Sequence, residues 1–214
     1  MTAAPRDGAA VSAGRAPVSR GGTAARSYSG AMRAMHWLTA ALLLFTYPLA
    51  WSIEQAPSAD VAARLVMLHR SFGVAVLLLT LMRLIWRRRT SIPPPPGLPG
   101  WQRLAAKANA MALYGLLLAQ PALGLTASWL HGDRIILFGF VSLPALLAPD
   151  RPLSRLLFRL HGGVALLLLA LVGLHVAAAL HHLLIRRDDV MSGMLGPCRL
   201  RPGTHKAPTE RAPS

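Results

Sequence analysis

Long blocks of apolar residues without a single charge dominate the pattern along this chain. A helix needs roughly 20 residues to cross a hydrocarbon core of about 30 Å. Ala34 to Ile53 is free of Asp, Glu, Lys and Arg, and so are Ala108 to Leu130 and His161 to Ile185. Pro121 inside the second of these blocks predicts a kink. A weaker block runs from Val66 to Trp86. Its strictly uncharged part, Ser71 to Met82, is too short alone, but Arg70 and Arg83 sit at its ends, where long side chains reach back to the membrane surface. The pattern predicts an all-α protein, a transmembrane four-helix bundle with spans at about 34–53, 66–86, 106–130 and 161–185.

The connecting stretches differ in character. Residues 1–30 are mostly Ala, Gly, Ser, Pro and Arg, a predicted disordered basic arm without the apolar stretch of a secretory signal. Residues 191–214 are expected to form a second disordered basic tail, leaving one folded domain over 31–190. Residues 52–65 are short and polar. Residues 87–103 hold Arg87-Arg88-Arg89 and then Pro93 to Pro96, an extended stiff turn that cannot be helix. Residues 131–159 contain an apolar piece, Ile135 to Ala148, broken by Gly139 and Pro144. It is too short to span and is expected to lie in the interface or to fold over the bundle mouth.

Composition agrees. Of 214 residues 53% are apolar and 14% charged, against about 25% charged in an ordinary soluble domain. Yet the net charge is +15. A basic balance can signal nucleic acid, so the placement of the 23 Lys and Arg decides. Four spans leave both termini on one side. That side receives 17 of the 23, and the other receives Arg64, Arg70, Arg134, Arg151, Arg155 and Arg159, while the eight acidic residues divide equally. The bias of Lys and Arg toward the cytoplasm predicts that both termini are cytoplasmic, with only the Arg151–Arg159 cluster running against it. The charge is mainly an orientation signal, and no nucleic-acid partner is expected. Cys198 is the only thiol, which excludes an intrachain disulfide, a thioether-linked haem and a zinc site of several thiolates.

Four of the eight histidines fall at matched depths. His36, beside Trp37, opens the first span near the cytoplasmic face. His69 opens the second span and His161 the fourth, both near the outer face, and His175 lies fourteen residues beyond His161. Fourteen helical residues rise about 21 Å and return to within about 40° of the same face. One helix therefore presents two imidazoles, one toward each membrane surface. Their partners by level are His69 for His161 and His36 for His175. Two imidazoles facing each other across apolar walls suit a low-spin haem, each giving the iron one axial nitrogen. The two irons are then expected about 20 Å apart, with the porphyrin edges much closer.

A lone histidine in an apolar helix is more often a structural hydrogen-bonding residue than a ligand. Four, paired by depth on three helices without an intramembrane Asp or Glu, point to haem. Zinc is disfavoured, since each level offers two nitrogens and no thiolate or carboxylate. At the inner level geometry leaves two choices. His182 is seven residues beyond His175 on nearly the same face, whereas His181 points about 100° away.

These residues resemble the bacterial diheme cytochrome b561 family, four-helix membrane b-type cytochromes of electron transport. The resemblance rests on Arg33 with His36-Trp37, Leu68-His69, Met82-Arg83-Leu84, Phe138-Gly139-Phe140 with Pro144, His161, and the run from Gly173-Leu174-His175 to His181-His182. It covers about residues 28–190. It implies two non-covalent haems b with His36, His69, His161 and His175 as axial ligands, so His175 rather than His182. It also implies residence in the bacterial cytoplasmic membrane and transfer of single electrons between a periplasmic donor or acceptor and the quinone pool. Some members oxidise superoxide and reduce ubiquinone, which makes a quinone the substrate. Others anchor a dehydrogenase such as a nickel–iron hydrogenase. The interval from His175 to the paired histidines is one residue shorter than in the family, which leaves the role of His181 and His182 open.

Arg33, Arg70 and Arg83 lie near span ends within reach of a haem edge. Their forked donors suit propionates, and they equally suit lipid head groups. Arg155 and Arg159, one turn before His161, fit head-group anchoring first, and propionates or attraction of superoxide second. Trp37, Trp51, Trp86, Trp101 and Trp129 fall near span ends as an aromatic belt. Three functions compete. They are a membrane electron carrier acting as a superoxide:ubiquinone oxidoreductase, a membrane anchor docking a soluble or membrane redox partner through its Arg-rich loop and arm, and a haem-free structural or transport bundle.

Overall fold

A computed structural model of the chain describes residues 29–90, 99–186 and 194. The basic arm up to residue 28, the Pro93–Pro96 turn and most of the tail with Cys198 lie outside the described residues. Four long helices carry the fold: α1 (Gly30–Glu54), α2 (Ala59–Arg89), α3 (Gly100–His131) and α4 (Arg151–Leu180), the last running on as a π-helical turn over His181–Arg186. A hairpin of two short antiparallel strands, β1 (Ile136–Leu137) and β2 (Val141–Ser142), stands between α3 and α4. All four helices are long and apolar enough to cross a membrane. The bundle is all-α, as the block pattern predicts, and α3 continues as helix through Pro121.

Three helices begin well before the spans expected of them. α3 starts at Gly100 and α2 runs to Arg89, so both ends of the stretch expected as a stiff non-helical turn, 87–89 and 100–103, are helical. For α2 and α4 the reason is written in their first residues. α2 starts at Ala59 instead of near residue 66, because the Ser58 side chain caps it by accepting from Val61 N at 3.3 Å, with Asp60 in the first turn. A hydroxyl cap and an acidic first turn both stabilise a helix N-terminus. α4 starts at Arg151, ten residues before His161. Asp150 accepts from Leu153 N at 3.0 Å, and a proline stands in the first turn, where its missing N–H costs nothing. Arg151, Arg155 and Arg159 thus occupy one exposed face of a helix and not a loop.

The termini of α1 and α4 share one end of the bundle, where Trp37 Nε1 donates to Met194 O. The hairpin marks the opposite end. α2 packs along both α1 and α3, and α3 along α4, while the seam between α4 and α1 is the loosely packed one. Tyr47 OH donates across that seam to Ala165 O at 2.7 Å. The core is small: Val76, Leu117 and Leu168, with Leu42, Leu43 and Val172 against them. Large apolar side chains such as Leu44, Leu166 and Ile185 are exposed, the arrangement that lipid rewards and water penalises.

The hairpin is anchored from beneath. Ile135 and Leu137 are buried, and Phe138 N donates to the Ser71 hydroxyl of α2 at 2.8 Å. Phe138 takes a left-handed φ of 52° and Gly139 one of 83°, a conformation costly for any residue but glycine. The hydroxyl bond and the Phe72–Phe138 ring contact hold Phe138 in it. Ser71→Ala removes the buried acceptor of that N–H and is expected to cost about 1–3 kcal/mol. Ser52→Ala, on an exposed hydroxyl, is expected to cost under about 0.5 kcal/mol. Thermal unfolding in detergent checks both values, and equal midpoints for the two variants contradict the anchoring role.

Candidate haem sites between the helices

The four helices bring the predicted histidines together in two pairs. His69 of α2 and His161 of α4 face each other near the hairpin end, their ring centroids 6.1 Å apart and their planes at 79°. His36 of α1 and His175 of α4 face each other toward the terminal end, at 6.2 Å and 74°. It is His175, not His182, that the structure sets against His36. His36, His69 and His161 are half-buried, and His175 is exposed along the open seam. The π-helical turn begins at His181, so ideal α-helical rotation does not carry through to His182.

The fit to a haem can be tested on these distances. A metal–imidazole nitrogen bond is about 2 Å, so two rings bound to opposite faces of one metal have centroids about 6 Å apart. Both pairs have that separation. At the hairpin end the proton positions also suit it. His69 Nδ1 lies 3.3 Å from Thr46 O and His161 Nδ1 lies 3.0 Å from Gln120 O. A carbonyl can only accept, so each Nδ1 carries the proton and each Nε2 is left with its lone pair, the state a metal needs. Gly124 contributes space, since a Cβ there would lie 3.0 Å from the His161 ring. One contact must give way: Gln120 Nε2 lies 3.2 Å from His161 Nε2 and has to swing off the nitrogen that a metal would take.

The terminal-end pair differs. Arg83 Nη1 lies 3.1 Å from His36 Nδ1, and a guanidinium can only donate. The His36 proton is therefore on Nε2, and a metal at Nε2 requires it to move to Nδ1 and Arg83 to turn away. Arg83 Nε is buried with no hydrogen-bond partner among the described residues, a donor suited to an anionic group. Of the other arginines singled out, Arg33 is half-buried on α1. Arg70 is committed elsewhere, in an ion pair with Asp133.

Asp133 belongs to a relay that ties three helices at the hairpin end. Its other oxygen accepts from His131 Nδ1 at 2.7 Å, and His131 Nε2 accepts from Arg151 at 3.0 Å. Sequence reasoning missed this relay, and it missed Thr46, Gln120 and Gly124. Gln120 carried a signal, being an amide in the middle of an uncharged span. Thr46 carried none, because it acts through its backbone carbonyl. Among the described residues no three His, Cys, Asp or Glu side chains gather as a metal cluster.

An all-α bundle of four membrane-length helices with imidazoles facing across it has the architecture of a membrane cytochrome. The sequence matches the model of the family described as prokaryotic cytochrome b561 over residues 27–197, and the chain belongs to that family. It is similar to cytochrome b561 homolog 2 of Escherichia coli strain K12, 33% identical over 168 residues, covering 76% of this chain and 88% of that protein. It is equally similar to cytochrome b562 of Cereibacter sphaeroides, 33% identical over 76% of this chain and 91% of the relative. A protein of Yersinia pestis named "Probable superoxide oxidase CybB" is 28% identical, over 79% of this chain and 96% of its own length. The protein is thus a prokaryotic membrane protein of electron transfer with a b-type haem cofactor.

The relay makes a prediction of its own. Partial burial pushes the Asp133 carboxyl up, but the hydrogen bond from His131 and the charge and hydrogen bond of Arg70 outweigh it. Together they hold the carboxyl below its ordinary value of 3.8. A depressed carboxylate stabilises the fold fully above its unfolded pKa, and the contribution is lost as pH falls through the lower folded value. Asp133→Asn is therefore expected to unfold at lower temperature than the parent from pH 5 to 7. The gap should close below about pH 3.8. Melting curves of both proteins across that range check it, and a gap constant with pH contradicts the ionic origin.

Proposed function

We propose that the chain binds two haems b, one between His69 and His161 and one between His36 and His175. It then passes single electrons across the bacterial cytoplasmic membrane between a periplasmic partner and the quinone pool. The observation that carries this reading is the equal, metal-sized separation of the two imidazole pairs on one helix, fourteen residues apart. Both termini are assigned to the cytoplasm by the surplus of Lys and Arg at their end.

When bound, haem supplies a one-electron centre. The work of the chain's own residues is to bind, orient and insulate. Thr46 O and Gln120 O hold the Nδ1 protons of His69 and His161 and so keep the ring planes and tautomers fixed. Arg83, once turned from His36, offers its buried Nε to a propionate, and Arg33 lies on the same end of α1. Arg70 is the weaker propionate partner, because using it means breaking the pair with Asp133. Leu168, seven residues from each α4 histidine, is 1% exposed and keeps water out between the two levels.

Superoxide:ubiquinone oxidoreduction is the specific activity favoured, supported by the relative whose name carries it and by the exposed Arg151, Arg155 and Arg159 at the hairpin end. Two superoxide ions each give up one electron and leave as dioxygen. The two electrons, with two protons, reduce one quinone to quinol. Purified protein is expected to show two haems per chain. His69→Ala and His175→Ala are each expected to lose one and keep the other, measured by the reduced b-type absorption bands. Two haems retained in both variants overturn the ligand assignment. If loading is normal but superoxide leaves the bands oxidised, the haem sites stand and the substrate does not.

A further inference from the structure

Away from the histidine seam, the end of α2 and the start of α3 enclose a cleft of about 350 Å³. Leu84 and Met111 wall it, Arg87 and Lys107 stand toward the membrane surface, and Tyr114 lies two turns deeper than Lys107 on α3. Both cations are exposed. No Asp or Glu occurs from residue 61 to residue 132, so the nearest carboxylate on either helix is Asp60, at the far end of α2. Among the described residues neither Arg87 nor Lys107 has an ion pair. Arg87 lies over the Tyr114 ring at 5.7 Å, and the Tyr114 hydroxyl is buried without a hydrogen-bond partner among the described residues.

Two uncompensated cations above an apolar trough select a ligand that is anionic at one end and aliphatic beyond. We propose that this cleft holds an anionic phospholipid, its phosphate between Arg87 and Lys107 and an acyl chain along Leu84 and Met111. The Tyr114 ring floors the cleft beneath Arg87. A quinone presents neutral carbonyls and leaves both charges unmet. Inorganic phosphate meets the charges and leaves the apolar walls bare. No histidine lines the cleft, and Arg83, which meets His36, stands between it and the inner pair, 5.6 Å from the centroid of the Tyr114 ring.

The test is native mass spectrometry of the full haem-loaded chain in detergent, titrated with dioleoylphosphatidylglycerol. One lipid is expected to remain bound, in preference to dioleoylphosphatidylcholine. Arg87→Gln and Lys107→Gln are each expected to weaken it about fivefold, and the double variant roughly 25-fold, whereas R87K and K107R keep it. Arg88→Gln, outside the cleft lining, is expected to bind as the parent does. Gly115→Leu gives a test without loss of charge: a Cβ there meets nothing within 4 Å, so the new side chain fits and fills the cleft. It is expected to lose the lipid while keeping its haem bands. Equal retention of the two lipids, undiminished binding in Gly115→Leu, or equal loss in Arg88→Gln overturns the proposal. Displacement of the lipid by inorganic phosphate assigns the cleft to a free anion and overturns it too.

Discussion

An α-helix returns to nearly the same face every seven residues, and on α4 that period selects Ser154, His161, Leu168 and His175. The stripe organises the bundle. Ser154 is wholly buried and donates to Ala127 O of α3 at 2.9 Å. His161 meets Gln120 of α3 and faces His69. Leu168 completes the core with Val76 and Leu117, and His175 faces His36. A polar tie, an imidazole, an aliphatic plug and a second imidazole follow one another along a single line. Each needs something different from the helix opposite, which is why α3, α2 and α1 carry Gly124, Val76 and His36 where they do.

The two imidazole pairs are alike in spacing and unlike in what holds them. Near the hairpin, backbone carbonyls fix both rings, and carbonyls do not move. At the terminal end a flexible guanidinium holds His36, and the ring of His175 is open along the loosest seam of the bundle. The hairpin-end pair is therefore pre-organised, and the other is adaptable. The hairpin itself reinforces the difference. It is tied to α2 through Ser71, while the Asp133 relay joins α2, α3 and α4 at the same end.

The helices and both histidine pairs were legible in the sequence because each depends on spacing along one chain segment. Uncharged blocks reveal length, and a fourteen-residue interval reveals a shared face. The early starts of α2 and α4 were also written, in Ser58 with Asp60 and in Asp150-Arg151-Pro152. They were hidden by the search for uncharged residues, since both helices emerge from the apolar region carrying arginines. Contacts between distant segments were not legible. Arg70 looks like a free cation at a span end until Asp133, 63 residues away, is found against it. Thr46 and Gly124 act through a carbonyl and through the absence of a side chain, and neither has a signature in the chain.

The belt at mid-depth has an electrical consequence. Val76, Leu117 and Leu168 bear no group that can take or release a proton, and the nearby Thr80 and Thr39 hydroxyls are tied to carbonyls of their own helices. An electron handed across this layer between the two proposed haem sites would travel without a compensating ion. On the proposed two-haem assignment the bundle would be the conducting element in a charged capacitor, and its turnover would be set against the membrane voltage as well as the difference in redox potential.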